Sequence, residues 1–162
     1  MIFRSTNDVF INYMFCLWNV SFTPRDKWKP KFDYLTRTLL AMTMPYNVGV
    51  KLRASPQDAS RKVVLAAQDI LGRFGIAESD CTFEPFYDPA KAPQEVSGKD
   101  LMISAYARNG RKLMIIANGC EEERTFTVHG QFHITDLETG KILPENDRTV
   151  KPYDLRLIEL RK

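Results

Sequence analysis

The pattern of hydrophobic positions along the chain changes near residue 80. In the first half, apolar residues recur every three to four positions, as the buried stripe of a helix requires. In the second half they alternate, or form short runs between turn residues, as strands do. The change predicts an α+β fold, with N-terminal helical segments over residues 1–80 followed by an antiparallel β-sandwich domain over residues 81–162.

Two helices are predicted in the first half. The first begins near Pro30 and ends before Pro45, because the residue ahead of a proline disfavours helical dihedrals. Its predicted buried stripe is Phe32, Leu35, Leu39 and Met42. The second covers residues 56–74, and Gly75 can adopt the left-handed conformation that ends a helix. Its predicted buried face is Val63, Ala67, Ile70, Leu71 and Phe74.

Residues 8–22 are dense in aromatic side chains and fit both a helical stripe and one face of a strand. The polar residues just before the stripe are suitable helix caps, which favours a helix. An apolar surface of this size is rarely left open to water on a monomer. We therefore expect the segment to pack on the sandwich or on a second copy of the chain in a two-fold homodimer.

Short strands separated by turns are predicted over the second half. Asn109-Gly110 is a strong signal for a two-residue hairpin between strands 101–107 and 112–118, because both turn positions favour positive φ. Further strands are predicted at residues 124–129 and 154–160. Many short strands at regular spacing are typical of an antiparallel sandwich.

Composition and charge exclude several classes of protein. The chain is 44% hydrophobic and 27% charged, as globular domains are. Its 23 Lys and Arg nearly balance 20 Asp and Glu, so charge supports neither a nucleic-acid partner nor a membrane partner. The most apolar stretch, residues 9–20, is too short to span a membrane and makes a poor signal peptide. The expected location is cytoplasmic, unless the chain is cut from a secreted precursor.

The metal-ligating residue types are scattered. Cys16, Cys81 and Cys120 lie far apart with no CxxC pair, so buried free thiols are expected rather than a zinc site, and one disulfide plus a free thiol is the alternative. The two histidines, His129 and His133, stand in β-like sequence, where their spacing does not bring them to one helix face. We expect no metal and no cofactor.

No catalytic residue is nominated from the sequence. A glycosidase needs two positioned carboxylates, but Asp58 and Asp69 lie on the solvent side of the second helix pattern. The run of acidic residues at 121–123 is expected at a solvated turn. Phosphate-binding and nucleophile-elbow motifs are absent from the sequence.

Three aromatic residues are candidate ligand-binding residues: Trp18, Trp28 and Tyr87. An exposed aromatic ring can stack on a sugar or on a base. Trp28 lies in the basic segment 25–31, where an exposed basic loop with the indole folded onto the body is the alternative.

The second half resembles the small β-sandwich that closes many (β/α)₈-barrel glycoside hydrolases. The resemblance rests on a strand ending in ANGC, on the turn DLETG and on the last strand PYDLRLIEL. The approach FEPFYDPAKAPQEVSGKDLMISAYARNG is similar to the end of glycoside-hydrolase-like proteins of gut bacteria. The resemblance covers residues 83–160, and residues 1–75 fit as the last barrel helices or as the link from barrel to sandwich.

The resemblance implies a sugar-processing context but assigns no catalytic residue. Catalytic groups of barrel enzymes lie at the strand ends of a barrel of about 250 residues, and this chain is shorter. The leading hypothesis is a non-catalytic accessory sandwich that packs on a barrel. A free-standing carbohydrate-binding module, a small enzyme of another type and a protein–protein adaptor are the alternatives.

Overall fold

A computed structural model describes residues 29–49 and 59–162 of the chain. Helix α1 spans Lys29–Thr43 and continues into a 3₁₀ turn at Met44–Tyr46, and helix α2 spans Ala59–Phe74. Both predicted helices are confirmed over the described residues. Residues 56–58 and the aromatic segment 8–22 lie outside them, as does the contact surface expected of that segment.

Nine strands follow in the described part of the chain. They are β1 Thr82–Glu84, β2 Val96–Ser97, β3 Leu101–Arg108, β4 Arg111–Asn118, β5 Arg124–Thr125, β6 Thr127–Val128, β7 His133–Asp136, β8 Thr149–Val150 and β9 Leu155–Arg161. Five of them form an antiparallel sheet in the order β1-β3-β4-β9-β7, whereas β2 pairs with β6 and β5 pairs with β8. The predicted α+β class with an antiparallel, sandwich-like second half is confirmed.

The five-stranded sheet separates two hydrophobic cores. Alternation along β4 sends Leu113, Ile115 and Ala117 to one face and Met114 and Ile116 to the other. The helices cover the first face, where the core also includes Leu40, Ala41, Met44, Val64, Ala67, Ile70, Phe74, Tyr106, Leu155 and Leu157. The second core draws on the small sheets and on the chain around them, with Val96, Ile103, Ala105, Phe126, Ile134, Leu143, Val150, Ile158 and Leu160.

Two turns form as their residue chemistry predicts. Asn109 and Gly110 have φ of 49° and 71°, and they close the hairpin in which Arg108 pairs with Arg111. Positive φ at both positions is the requirement of the tightest hairpin turns. Gly75 ends α2 with φ of 85°, and its N–H donates to the carbonyl of Leu71.

The buried face of α1 differs from the predicted stripe. Met42 is 42% exposed, and Leu35 and Leu39 are only partly buried. The side chain of Phe32 lies outside the described residues. The buried side chains are Thr36, Leu40, Ala41 and Thr43. Thr36, Leu40 and Thr43 each lie one position after a residue of the predicted stripe, so the buried face is shifted by one residue.

The buried face of α2 agrees better with its prediction. Ala67, Ile70 and Phe74 are buried together against the sheet, as predicted. Val64 is also buried although it was not predicted, whereas the predicted Val63 and Leu71 are only partly buried at the margin of the same core.

The predicted strand at residues 124–129 is split into two. Phe126 is 3% exposed and separates β5 from β6, which pair with different partners. Its N–H donates to the carbonyl of Arg148. The alternation of polar and apolar residues in this segment does not predict that the strand is interrupted at Phe126, between two small sheets.

In the described part of the chain, no helix combines the length and the hydrophobicity that crossing a bilayer requires.

Truncation of Phe74 tests the core between α2 and the sheet. Phe74 is 5% exposed, so Phe74→Ala should lower the free energy of unfolding by about 3–5 kcal/mol. Leu65→Ala on the same helix is the matched control, because Leu65 is 44% exposed and should change stability little. Chemical denaturation of the variants measures both values, and equal losses would show that this face of α2 is not core.

Candidate functional site

The end of strand β4 is held by a buried asparagine. Asn118 is fully buried, and its Nδ2 donates to the carbonyl oxygens of Glu122, Val150 and Lys151 at 2.7, 3.1 and 3.1 Å. Its Oδ1 accepts a hydrogen bond from the N–H of Cys120 at 2.8 Å. The amide therefore shapes the polar turn after β4 and ties it to the chain at the end of β8. The asparagine of the ANGC sequence is structural.

The DLETG turn is shaped by its aspartate. Asp136 is 6% exposed, and its Oδ1 accepts hydrogen bonds from the N–H groups of Glu138 and Thr139 and from the hydroxyl of Thr139, at 2.8–3.0 Å. Gly140 completes the turn with φ of 70°. Such a side chain satisfies backbone donors that a tight turn would otherwise leave unpaired.

One arginine of α1 reaches the DLETG turn and the start of β9. Arg37 Nε lies 2.5 Å from Asp154 Oδ1, and Arg37 Nη1 lies 2.6 Å from Glu138 Oε1. Arg37 Nη2 donates to the carbonyl of Leu155 at 2.8 Å. Because Asp154 also accepts the N–H of Leu155 at 2.7 Å, the guanidinium and the first residues of β9 share one carboxylate. We call Arg37, Glu138 and Asp154 the junction cluster.

The junction cluster is partly shielded from water. The side chains of Arg37, Asp154 and Glu138 are 25%, 15% and 34% exposed. Burial opposes the charge on Arg37, but the hydrogen bonds and charges of the two carboxylates outweigh it and raise the pKa of the guanidinium. Arg37 therefore stays charged, and its contacts with the two carboxylates anchor α1 to the sheet.

A second cluster joins two carboxylates through a lysine. Lys112 Nζ lies 2.7 Å from Glu84 Oε2 and 2.8 Å from Glu95 Oε1. Partial burial opposes ionisation of Glu95, but the hydrogen bond and charge of Lys112 outweigh it, so the pKa of Glu95 lies below its ordinary value. A general acid needs a raised pKa. Glu95 is therefore a poor general acid, and the contacts of Lys112 hold β1, β4 and the residue before β2 together.

A cleft of about 340 Å³ lies beside the β3–β4 hairpin. Three of its cations already have acidic partners: Arg108 pairs with Asp80, Arg111 with Glu159, and Lys112 with its two glutamates. The lining residues that carry side-chain charge are Asp80, Glu95, Arg108, Arg111, Lys112 and Lys162. Because the charges of these three cations are already compensated by acidic partners, they are poor candidates for binding an anionic ligand.

Tyr87 is the one predicted ligand-binding residue that lies within the described residues, since Trp18 and Trp28 are outside them. Its ring lies nearly parallel to that of Tyr46, with centroids 5.8 Å apart and planes 16° apart. Phe86 meets both rings edge-on, at 5.0 Å from Tyr46 and 5.5 Å from Tyr87. Tyr46 and Tyr87 are 45% and 57% exposed, so the structure stacks two partly exposed aromatic rings against each other.

A buried hydroxyl fixes the two loops that carry these rings. Ser104 is fully buried in β3; its Oγ donates to the carbonyl of Pro45 at 2.8 Å and accepts the N–H of Phe86 at 2.9 Å. Tyr46 follows Pro45, and Tyr87 follows Phe86, so one side chain sets the spacing of both tyrosines. We call Tyr46, Phe86 and Tyr87 the aromatic cluster. The sequence analysis did not predict Tyr46 as a candidate, because no local sequence pattern indicates that it contacts Tyr87.

The histidines occupy sheet and loop positions. His129 Nε2 lies 2.7 Å from Ser97 Oγ, His133 begins β7, and both histidines are exposed. Residues 29–49 and 59–162 contain no group of three or more side chains placed to hold a metal ion.

The remaining sequence predictions concern thiols and acidic residues. Cys81 and Cys120 are free thiols, and Cys16 lies outside the described residues. The acidic run at 121–123 is exposed, as predicted. Asp69 is exposed on α2 and pairs with Arg73, whereas Asp58 lies outside the described residues.

No family model matches the chain, and no curated protein matches it. Three solved structures are similar to part of it. A β-galactosidase from Bacillus circulans sp. alkalophilus is 18% identical, with a TM-score of 0.36, over 64% of this chain and 13% of that one. The GH42 β-galactosidase Gan42B from G. stearothermophilus and a catalytic mutant of it are each 15% identical, with TM-scores of 0.38, over 65% of this chain and 13% of theirs.

Removal of Arg37 tests the junction cluster. Arg37→Ala leaves two partly buried carboxylates and one carbonyl without their partner, so it should lower the free energy of unfolding by about 2–3 kcal/mol. Arg73→Ala is the matched control, because Arg73 and Asp69 form an exposed pair worth about 0.5 kcal/mol. Denaturation curves of the two variants measure the difference. Equal losses would contradict the anchoring role of Arg37.

The pH dependence of stability tests the lysine cluster. Because the pKa of Glu95 is lower in the folded chain than in the unfolded chain, its contribution to stability is present near neutral pH. That contribution should be lost as pH falls through the lowered pKa. Glu95→Gln should therefore be less stable than the natural chain at pH 7 and should lose less stability between pH 5 and pH 3. Parallel acid dependence in both proteins would contradict the role of the Lys112 pair.

Proposed function

We propose that the chain is a non-catalytic accessory β-sandwich region of a glycoside-hydrolase-type protein, with a structural, partner-packing role in carbohydrate processing. The observation that carries the proposal is the contact set of Arg37. This residue fastens a preceding helix to two of the sequences on which the resemblance rests, through Glu138 of DLETG and Asp154 of PYDLRLIEL.

The residues that give the sequence its resemblance support a structural role. Asn118 and Asp136 direct their side chains to backbone groups of turns, and Asp154 is shared between the backbone of β9 and Arg37. Residues that are engaged in closing turns and anchoring a helix contribute to stability and to the shape of the domain. The resemblance therefore rests mainly on residues that stabilise the domain, which favours a packing role over a catalytic one.

The packing of the helices favours their inclusion in the same unit as the sandwich. Helices α1 and α2 share one core with the five-stranded sheet, and α1 is also held by the junction cluster. We therefore propose that the helices and the sandwich act as one piece, to which a barrel domain or a second copy of the chain attaches. The segment at residues 8–22 is the proposed contact.

Hydrolysis assays test the non-catalytic role. The purified chain should give no turnover with a panel of aryl glycosides, because Lys112 lowers the pKa of Glu95 and a carboxylate with a lowered pKa is a poor general acid. Glu84→Gln and Glu95→Gln serve as matched variants, since Lys112 joins these two carboxylates. Turnover by the natural chain that disappears in either variant would overturn the proposal and would identify an enzyme.

A partner experiment tests the accessory role separately. We expect a gene or gene segment for a (β/α)₈ barrel to lie next to the coding sequence of this chain. When the two proteins are produced together, the barrel should co-purify with the chain. The Arg37→Ala variant should weaken that association, whereas Arg73→Ala should not. Adjacent coding sequence without a barrel, together with a chain that sediments as a monomer, would contradict a partner-packing role.

A further inference from the structure

We propose that Tyr46 and Tyr87 form a stacking platform for the pyranose rings of a neutral carbohydrate. The inference does not depend on the accessory role proposed above, since it rests on the aromatic cluster, on the Ser104 hydrogen bonds that support it and on the charged residues that follow Tyr87. It assigns a ligand class to a surface whose members lie in separate parts of the chain.

The exposure of the two rings is the first argument. Among the large apolar side chains that are exposed in the described part of the chain, Tyr46 and Tyr87 are the aromatic ones, and they lie together. A tyrosine ring combines an apolar face with a hydroxyl at its edge. A pyranose has the complementary arrangement, because its C–H groups line a ring face and its hydroxyls surround the rim.

The rigidity of the platform is the second argument. Phe86 meets both tyrosine rings edge-on, with interplanar angles of 82° and 83°. Ser104 bonds to the backbone on each side of the cluster, through the carbonyl of Pro45 and the N–H of Phe86. When the rings are already held in place, ligand binding costs less side-chain conformational entropy, and the affinity is correspondingly higher. Preorganised aromatic groups therefore suit uncharged ligands such as neutral sugars, which gain no ion pair on binding.

The charged residue that follows Tyr87 in the chain is the third argument. Asp88 follows Tyr87 directly, and its carboxylate is oriented by Lys91 Nζ at 3.0 Å and by the N–H of Ala90 at 3.2 Å. The hydrogen bond from Lys91 outweighs other effects and lowers the pKa of Asp88, which keeps the carboxylate ionised. An ionised carboxylate accepts hydrogen bonds from sugar hydroxyls and repels phosphates.

Local charge separates a sugar from a nucleic acid as the ligand. Nucleobases also stack on aromatic rings, but proteins that bind single strands add a positively charged groove for the phosphates. The cation of this loop, Lys91, is already paired with Asp88. The charge beside the platform thus favours an uncharged ligand.

Binding measurements on the full chain test the proposal. The chain should be retarded in gels that contain at least one of a panel of soluble neutral polysaccharides with different backbones, and calorimetry with the matching oligosaccharide should give its affinity. Tyr87→Ala and Tyr46→Ala should each weaken binding about tenfold or more, the loss expected when one stacked ring is removed. Tyr87→Phe keeps the ring and should stay within about threefold of the natural chain, because the ring supplies most of the stacking.

The controls separate loss of the platform from loss of the fold. Ile142→Ala is the matched control, because Ile142 is 67% exposed and belongs to neither the platform nor its supports, and it should bind like the natural chain. Thermal unfolding of each variant checks folding, and Tyr87→Ala decides the outcome if Tyr46→Ala does not fold.

Three results would overturn the proposal. They are no binding to any polysaccharide of the panel, sugar binding that Tyr87→Ala leaves unchanged, and binding of a single-stranded oligonucleotide in place of a sugar. Each is independent of the hydrolysis assay and of the partner experiment, so either proposal can fail without the other.

Discussion

The position of helix α1 depends on the demand that a partly buried guanidinium be fully paired. Removing a charge from water is costly unless opposite charges and hydrogen bonds replace the water. Arg37 meets that demand with Asp154, Glu138 and the carbonyl of Leu155, and these groups belong to two different turns of the sheet layer. The ion pairs of Arg37 and the apolar contacts of α1 therefore hold the helix in the same place on the sheet layer.

The elements that the sequence predicts well are those governed by local rules. The β3–β4 hairpin follows from Asn109-Gly110, and the buried face of α2 follows from its apolar spacing. Helix α1 shows the limit, because Met42 belongs to the apolar stripe and yet is exposed, whereas Thr36 is buried. A stripe of apolar residues says nothing about a charged residue that helps to orient the helix. The split of residues 124–129 at Phe126 has the same kind of cause, since burial of one ring overrides the local alternation.

The candidate sites depend more heavily on contacts between distant parts of the chain. Tyr87 can be nominated from its sequence context, but Tyr46 cannot, because Ser104 brings the two loops together from a third element. Lys112 likewise gathers Glu84 and Glu95 from two other segments. No residue spacing in the sequence predicts the contact between the two tyrosines or the contacts of Lys112 with the two glutamates. The turn residues Asn118 and Asp136 are different, because most of their hydrogen-bond partners lie within a few positions in the sequence. Their motifs can therefore be recognised from the sequence alone.

The proposed packing role and the proposed sugar platform share one support. Tyr46 lies in the 3₁₀ turn that continues α1, so its place on the surface depends on how that helix is docked. The docking has two fixed points, the junction cluster near the middle of α1 and the hydrogen bond from Ser104 to Pro45 at its end. Both points lie on the helix-covered side of the five-stranded sheet, whose second face is closed by another core. A partner or a ligand therefore meets this domain at its loops and margins, and the anchored end of α1 is one margin where the chain presents rigid aromatic rings to solvent.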